Sequence, residues 1–276
     1  MILSYAKLYP MGNSTVLIDS LKNEVAPDMF KTVASLIMQE KYIPCEQVGF
    51  VCPPRDPKHV SRLEMMGGEL CVNALRTLGY LHHRRTGERA FLVESSGSDQ
   101  SFSLTVTPDD LVSLNFDMNF QYISLSENLS LINLQGISHF VEQFPDVDLI
   151  TREFIVERHE FLRKEYVRDI QHTGAVGYIP YDKKDTIKIV PYIYIEDTHT
   201  RIFETACGSG AIAVAVREHT VFKKAEVFSI RQPSLEIFQL HVRELAPGSF
   251  HVDITSDVRL VSQGEIFLSD KDLRLY

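Results

Sequence analysis

The chain has 276 residues, enough for one large domain or two of ordinary size, and is 44% apolar and 24% charged. No window reaches the uninterrupted apolar length of a membrane span, and the first ten residues, MILSYAKLYP, have neither a basic start nor a signal-type apolar block, so a soluble cytoplasmic protein is expected. A formal net charge of −9 offers no basic face to a phosphate backbone, which argues against nucleic acid and for a small-molecule partner.

In chain order, ILSYAKLY and STVLID read as strands, and PDMFKTVASLIMQEK as a helix whose Met29, Phe30, Val33, Leu36 and Ile37 share a face behind a capping Asp28. QVGFVC and VSRLEMM are the next strands, and a helix is expected over CVNALRTLGYLHHR. FLVES, FSLTV and LVSLNF follow, with Thr107-Pro108-Asp109-Asp110 marking a hairpin connection. Beyond residue 120 the plan starts again: LINLQ, a helical TREFIVERHEFLRKEY, strands AVGYIP and IKIVPYIYI, then ETACGSGAIAVAV and further strands. The expected division is 1–118, joined by a returning strand in 264–276, and 119–263.

The four cysteines are Cys45, Cys52, Cys71 and Cys207; they form no CxxC pair, so neither a metal site nor a disulfide framework is expected. Cys45 and Cys52 read as buried small hydrophobes. Cys71 and Cys207 differ from them. Each ends a strand-like run, lies in a turn with glycines beside it (Gly67 and Gly68 before one, Gly208 and Gly210 after the other) and opens a helix.

A helix N-terminus presents unpaired N–H groups and the positive end of the macrodipole, so a thiol there ionises more easily, and the same N–H groups can hold a carboxylate or a developing oxyanion. The apolar run after Gly210 predicts a buried helix whose first turn is a rigid platform. Two such thiols acting on one carbon acid invert a stereocentre when one takes the proton and the other returns one. No histidine set supports a thiol hydrolase; His82, His83, His139 and His172 read as surface or structural residues.

PMGNSTVLID (10–19), CEQVGF (45–50), GGELCVNALR (67–76) and above all TACGSGA (205–211) resemble the diaminopimelate epimerase-like racemases and epimerases that work without pyridoxal phosphate. The resemblance runs along nearly the whole chain. It implies an α+β fold of two pseudo-symmetric halves, each a mostly antiparallel sheet wrapped around a central helix, with the active site in the cleft between them. It implies an isomerase without cofactor or metal, and a final strand, EIFLSD, that returns to the first half.

The departures narrow the substrate. The family's CGN turn reads Cys71-Val72-Asn73, its GNPH-like segment reads Gly136-Ile137-Ser138-His139, and the arginine ahead of the second cysteine is missing. Those losses would leave the distal head group of diaminopimelate without partners. CEQVGF, GxELC-x-NA and a short E-x-x-CGSG are instead similar to the histidine racemases that feed opine-type metallophore synthesis, as in the staphylopine pathway, although Val72 departs from that subgroup's CGNA.

The expected reaction is therefore racemisation of an amino acid, histidine first, with Cys71 and Cys207 catalytic. Val72, Asn73, Gly208 and Ser209 are expected to bind the α-carboxylate through backbone N–H groups; Asn13, Gln47 and Glu204 would serve the amino group or the site walls, and Glu46 the imidazole. Two alternatives stand beside this: another epimerase or isomerase of the same fold, diaminopimelate epimerase included, and a non-catalytic amino-acid-binding protein. A homodimer is compatible with the chain.

Overall fold

The computed structural model describes residues 1–134, 136–171, 174–184, 186–196, 199–222 and 226–273; the expectation for His172 lies outside them. The chain divides into two compact units, 1–114 with 257–276 and 115–256. Among the described residues no helix is long and apolar enough to cross a membrane.

The first unit opens with β1 (Ile2–Tyr9), β2 (Thr15–Asp19), α1 (Phe30–Ile37), β3 (Gln47–Cys52), β4 (Ser61–Met65), α2 (Val72–Thr86), β5 (Ala90–Ser95) and β6 (Phe102–Val106). Its strands pair in sequence order: β1–β2 antiparallel, β2–β3 parallel, β3–β4 antiparallel, β4–β5 parallel and β5–β6 antiparallel. Helix α2 packs on β2, β3, β4 and β6, so the sheet wraps around it. The cause lies in its sequence: Val72, Ala74, Leu75, Leu78 and Leu81 are all buried, and Gly87, left-handed at φ 78°, ends the helix by donating to the His83 carbonyl.

Helix α1 is shorter than its apolar pattern predicts. Pro27–Met29 form a 3-10 turn, Asp28 lies inside that turn rather than at a cap, and neither Ala26 nor Met29 caps with a side chain. Phe30, Val33, Leu36 and Ile37 are buried as their spacing requires, and Met29 is half-buried at the edge.

The second unit takes over within β7 (Val112–Asn119) and continues with β8 (Gln121–Ser124), β9 (Leu129–Leu134), β10 (Ile137–Gln143), α3 (Arg152–Glu165), β11 (Ala175–Lys183), β12 (Ile187–Ile189), β13 (Tyr192–Ile195), β14 (Thr200–Phe203), α4 (Gly208–Phe222), β15 (Val227–Arg231), β16 (Ile237–Ala246) and β17 (Ser249–Ser256). Here β9–β10 is antiparallel, β10–β11 parallel, β11–β12 antiparallel, β12–β15 parallel and β15–β16 antiparallel. That alternation repeats β1 to β6 step by step, with α3 standing where α1 stands and α4 where α2 stands. The hairpin β13–β14 is an insertion between β12 and α4.

Helix α4 packs on β9, β10, β11 and β16 and is apolar all round, with Ala211 to Val216 each at most 1% exposed, the condition of a helix enclosed by its sheet. Its far end is not apolar. Buried Arg217 donates to the Glu127 carbonyl at 2.9 Å and to Ser130 Oγ at 3.2 Å, so the charge is held by acceptors on the loop and strand beside it.

The chain then returns to the first unit as β18 (Arg259–Phe267), antiparallel to β1 with Ile2 opposite Phe267, followed by α5 (Asp270–Leu273). Both units thus carry a sheet around one central helix, and in both that helix begins beside a cysteine.

Candidate active site

Cys71 is the N-cap of α2: its backbone is extended at φ −120°, its carbonyl accepts the first helical bond from Leu75, and its Sγ accepts from Ala74 N at 3.4 Å. The approach to it is clamped from the turn after β5. Ser96 Oγ donates to the Glu69 carbonyl at 2.8 Å and accepts from Met65 N at 2.9 Å. Gly97, at φ 71°, lies so close that a Cβ there would come within 2.4 Å of Leu70 N, so only glycine lets this turn press on the segment that delivers the thiol.

Arg76 lies on the same helix with 0% exposure and donates to Asn73 Oδ1 at 2.5 Å. Burial pulls its guanidinium down to about 9, opposed by attraction to the Cys71 thiolate, and it remains a cation at neutral pH. A buried cation within electrostatic reach of a helix-capping sulfur favours the thiolate. Sequence reasoning missed it, although an arginine between the buried Leu75 and Leu78 was a visible anomaly.

Asn13, Glu46 and Gln47 gather in one place. Met11, Gly12 and Asn13 all have positive φ (63°, 113° and 52°), a strained left-handed loop between β1 and β2. The next residue, Ser14, presents its carbonyl to Glu46 N at 2.9 Å and Gln47 N at 3.2 Å, which ties that loop to the start of β3. Asn13 and Gln47 are buried, and Glu46 is half-buried. Helix α2 packs on β2 and β3, the strands that follow Asn13 and Glu46, while Val72 and Asn73 form its first turn.

In the second unit Cys207 repeats the arrangement of Cys71. Its carbonyl accepts from Ala211 N at 3.0 Å and its Sγ from Gly210 N at 3.3 Å. Its own N–H donates to Oε1 of buried Gln232 at 2.9 Å, an anchor from beyond β15 that sequence reasoning also missed. A Cβ on Gly210 would lie 3.0 Å from the Cys207 Sγ and 2.8 Å from Ile179 Cδ1, so the glycine makes room for the thiol. Gly208 and Ser209 form the first turn of α4, and Glu204 is buried in the segment ahead of it.

The thiol does not show the lowered pKa expected of a helix N-terminus. Burial pushes Cys207 well above the ordinary thiol range, and the Glu204 carboxylate adds to this by charge and by accepting a hydrogen bond from the thiol; Ser209 and the Gly210 N–H work the other way. Desolvation of a fully buried sulfur outweighs the N–H groups around it. Cys45 and Cys52 are pushed by burial to about 12 and about 11, which keeps both as inert thiols.

His139, read from the sequence as surface or structural, is buried beside this cysteine. Its Nε2 lies 2.9 Å from Ser209 Oγ, which lies 3.6 Å from Cys207 Sγ. Burial pulls the imidazole down to about 3, so it is neutral at physiological pH. Nothing in the sequence spacing links residue 139 to residue 209; the parallel pairing of β10 with β11 under α4 does.

Comparison with known proteins points the same way. A sequence-family model described as the histidine racemase CntK N-terminal domain matches residues 2–267. A histidine racemase of Fusobacterium nucleatum subsp. nucleatum (strain ATCC 23726) is 28% identical over 225 residues, covering 77% of this chain and 80% of the relative. A histidine racemase of Staphylococcus aureus (strain Mu50) is 23% identical over 276 residues, covering 97% of this chain and 98% of its own. Among solved structures, a hydroxyproline epimerase from Agrobacterium vitis aligns with a TM-score of 0.69 at 12% identity, covering 98% of this chain and 93% of that one. A phenazine biosynthesis protein of the PhzF family from Bacillus anthracis aligns with a TM-score of 0.68 at 12% identity, covering 97% and 100%. At such identity the structures show the fold, and the fold agrees with the one expected.

Proposed function

Because the chain belongs to the histidine racemase CntK family, we propose that it interconverts L- and D-histidine, with Cys71 and Cys207 as the two groups that take and return the Cα proton. One cysteine acts as thiolate and removes the proton. The other, as thiol, protonates the carbanion on its opposite face. After one turnover the two sulfurs have exchanged protonation states, so the reverse reaction begins from the form that the forward reaction leaves.

Backbone N–H groups of Val72 and Asn73 at the head of α2, and of Gly208 and Ser209 at the head of α4, are suited to the α-carboxylate, whose charge grows towards the enediolate as the proton leaves. This chemistry asks for fixed donors and water exclusion rather than an electron-sink cofactor. For the ammonium group the proposed partners are Asn13, Gln47 and Glu204, and for an imidazole N–H the carboxylate of Glu46.

The observation that carries the reading is the matched placement of the two thiols, each capping the central helix of its unit through the same pair of backbone hydrogen bonds. The test is incubation of L-histidine with the enzyme in D2O, followed by Cα-proton loss and chiral chromatography. D-histidine carrying deuterium at Cα is the expected product. Binding without isotope exchange would leave an amino-acid-binding protein, and exchange with a different amino acid would leave another racemase of the same fold.

A further inference from the structure

We propose that His139 and Ser209 form a directed chain of hydrogen-bond donors ending on the Cys207 sulfur, which holds that cysteine ready to act as a base. The proposal rests on Cys207 being an acid–base group of the reaction, and both residues are positioning residues that act through it.

The direction of the chain follows from the surroundings of the imidazole. His139 is neutral, so one ring nitrogen carries hydrogen and the other a lone pair. Nδ1 is buried and has no hydrogen-bond partner among the described residues, and it lies against Gly177, where a Cβ would come within 2.2 Å of it. A buried N–H left without an acceptor is rarer and costlier than a bare lone pair. The hydrogen therefore sits on Nε2 and points at Ser209 Oγ, 2.9 Å away. With one lone pair so occupied, the Ser209 hydroxyl turns its own hydrogen towards Cys207 Sγ at 3.6 Å.

Two further groups act on this sulfur: the Gly210 N–H, which also donates, and the Glu204 carboxylate, which opposes ionisation. Against Glu204 and burial stand the two donors from α4, and the serine is the one whose orientation is set from outside the helix. No proton needs to travel along the chain. Nε2–H polarises the hydroxyl, and the hydroxyl solvates the sulfur charge in a place closed to water.

The test has two arms on the full-length protein. Nitrogen-15 NMR of labelled histidine reports the His139 tautomer without reference to activity. The Nε2–H form is expected, and its proton should exchange faster with solvent in Ser209→Ala; an Nδ1–H form overturns the proposal. In the second arm, the ascending limb of the kcat/KM pH profile should move up by about one pH unit in Ser209→Ala, roughly tenfold in an ionisation constant, because the thiolate has lost a donor. Ser209→Thr should return it, and His139→Phe should shift it the same way by less. An unmoved limb in Ser209→Ala overturns the proposal even if His139→Phe does not fold. If the protein racemises no histidine, the functional reading falls while the NMR arm still decides the donor chain.

Discussion

Cys71 and Cys207 occupy one position in two helices: each sulfur accepts the N–H three residues ahead, at 3.4 and 3.3 Å, and each carbonyl accepts the first helical bond at 3.0 Å. If the two thiols are the acid and the base, neither can be spared. Cys71→Ser and Cys207→Ser should each lower racemisation by about 10²–10⁴-fold or more, since a serine hydroxyl ionises too weakly to replace a thiol. Chiral chromatography checks this, and circular dichroism should show both variants folded. Deuterium exchange with retention should persist on the side that keeps its thiol. A serine variant racemising near the parent rate would sink the two-base mechanism.

Arg76 is buried on the helix that Cys71 caps and is hydrogen-bonded to Asn73. Arg76→Met keeps most of the bulk and removes the charge. Loss of a charged hydrogen-bonding partner is worth about 1.5–3 kcal/mol, so kcat/KM should fall by roughly tenfold to a hundredfold. Steady-state kinetics over a pH range should place the loss mainly below neutrality, where the thiolate depends most on its cation.

Glu46 is half-buried and fixed at the backbone by Ser14. If its carboxylate accepts the imidazole N–H, Glu46→Ala should reduce kcat/KM for histidine by about tenfold to a hundredfold. Diaminopimelate should be a negligible substrate of the parent enzyme. Efficient epimerisation of diaminopimelate, measured by the same chromatography, would show the side-chain pocket to be misread.

Gly177 leaves no room for a methyl group, which would lie 2.2 Å from His139 Nδ1. Gly177→Ala should destabilise the protein by about 1–3 kcal/mol, as overpacked cores do. Thermal unfolding should register it as a lower Tm. Activity should fall more than stability, because the imidazole can yield only by leaving Ser209.

Acid should weaken the second unit through its buried histidines. Burial holds His139 at about 3 and His159 at about 4, the latter with Nε2 against the Val176 carbonyl. Both folded values lie below the unfolded value, so the unfolded chain binds more protons as soon as pH drops under about 6.5. Each histidine then costs about 1.4 kcal/mol of stability per pH unit, His159 down to its folded value and His139 one unit further. Urea unfolding between about pH 7 and pH 4 should show this slope, and His159→Gln should roughly halve it.

Sequence periodicity carried much of the fold. The apolar spacing around Val33 and Ile37, the stretch CVNALRTLGYLHHR and the unbroken run from Ala211 to Val216 located three helices, because burial on one face or all round leaves a local pattern. Strands β15 to β17 were foreseen only as unspecified strands, since Phe238, Leu240 and Val242 alternate with exposed residues in a way shared by many edge and hairpin strands. At the site, the residues adjacent to a cysteine in sequence were legible. His139, Gln232 and Ser96 were not, because each reaches its partner through sheet pairing or a turn from a distant part of the chain, and no local pattern encodes such a meeting. The raised pKa of Cys207 was missed for a related reason: a helix start is visible in sequence, and the depth of its burial is not.

The return of β18 to β1 also sets an order of events during synthesis. Ile2 must wait for Phe267, and everything between 115 and 256 emerges from the ribosome first. The second unit, from Asn115 on, can close while the edge of β1 that faces β18 is still unpaired. Such an edge invites association with other nascent chains, and long-range strand pairing is slow to form. The half that carries Cys71 is therefore the last to mature, and a cell making this protein quickly should accumulate chains with a finished second unit and an open first one.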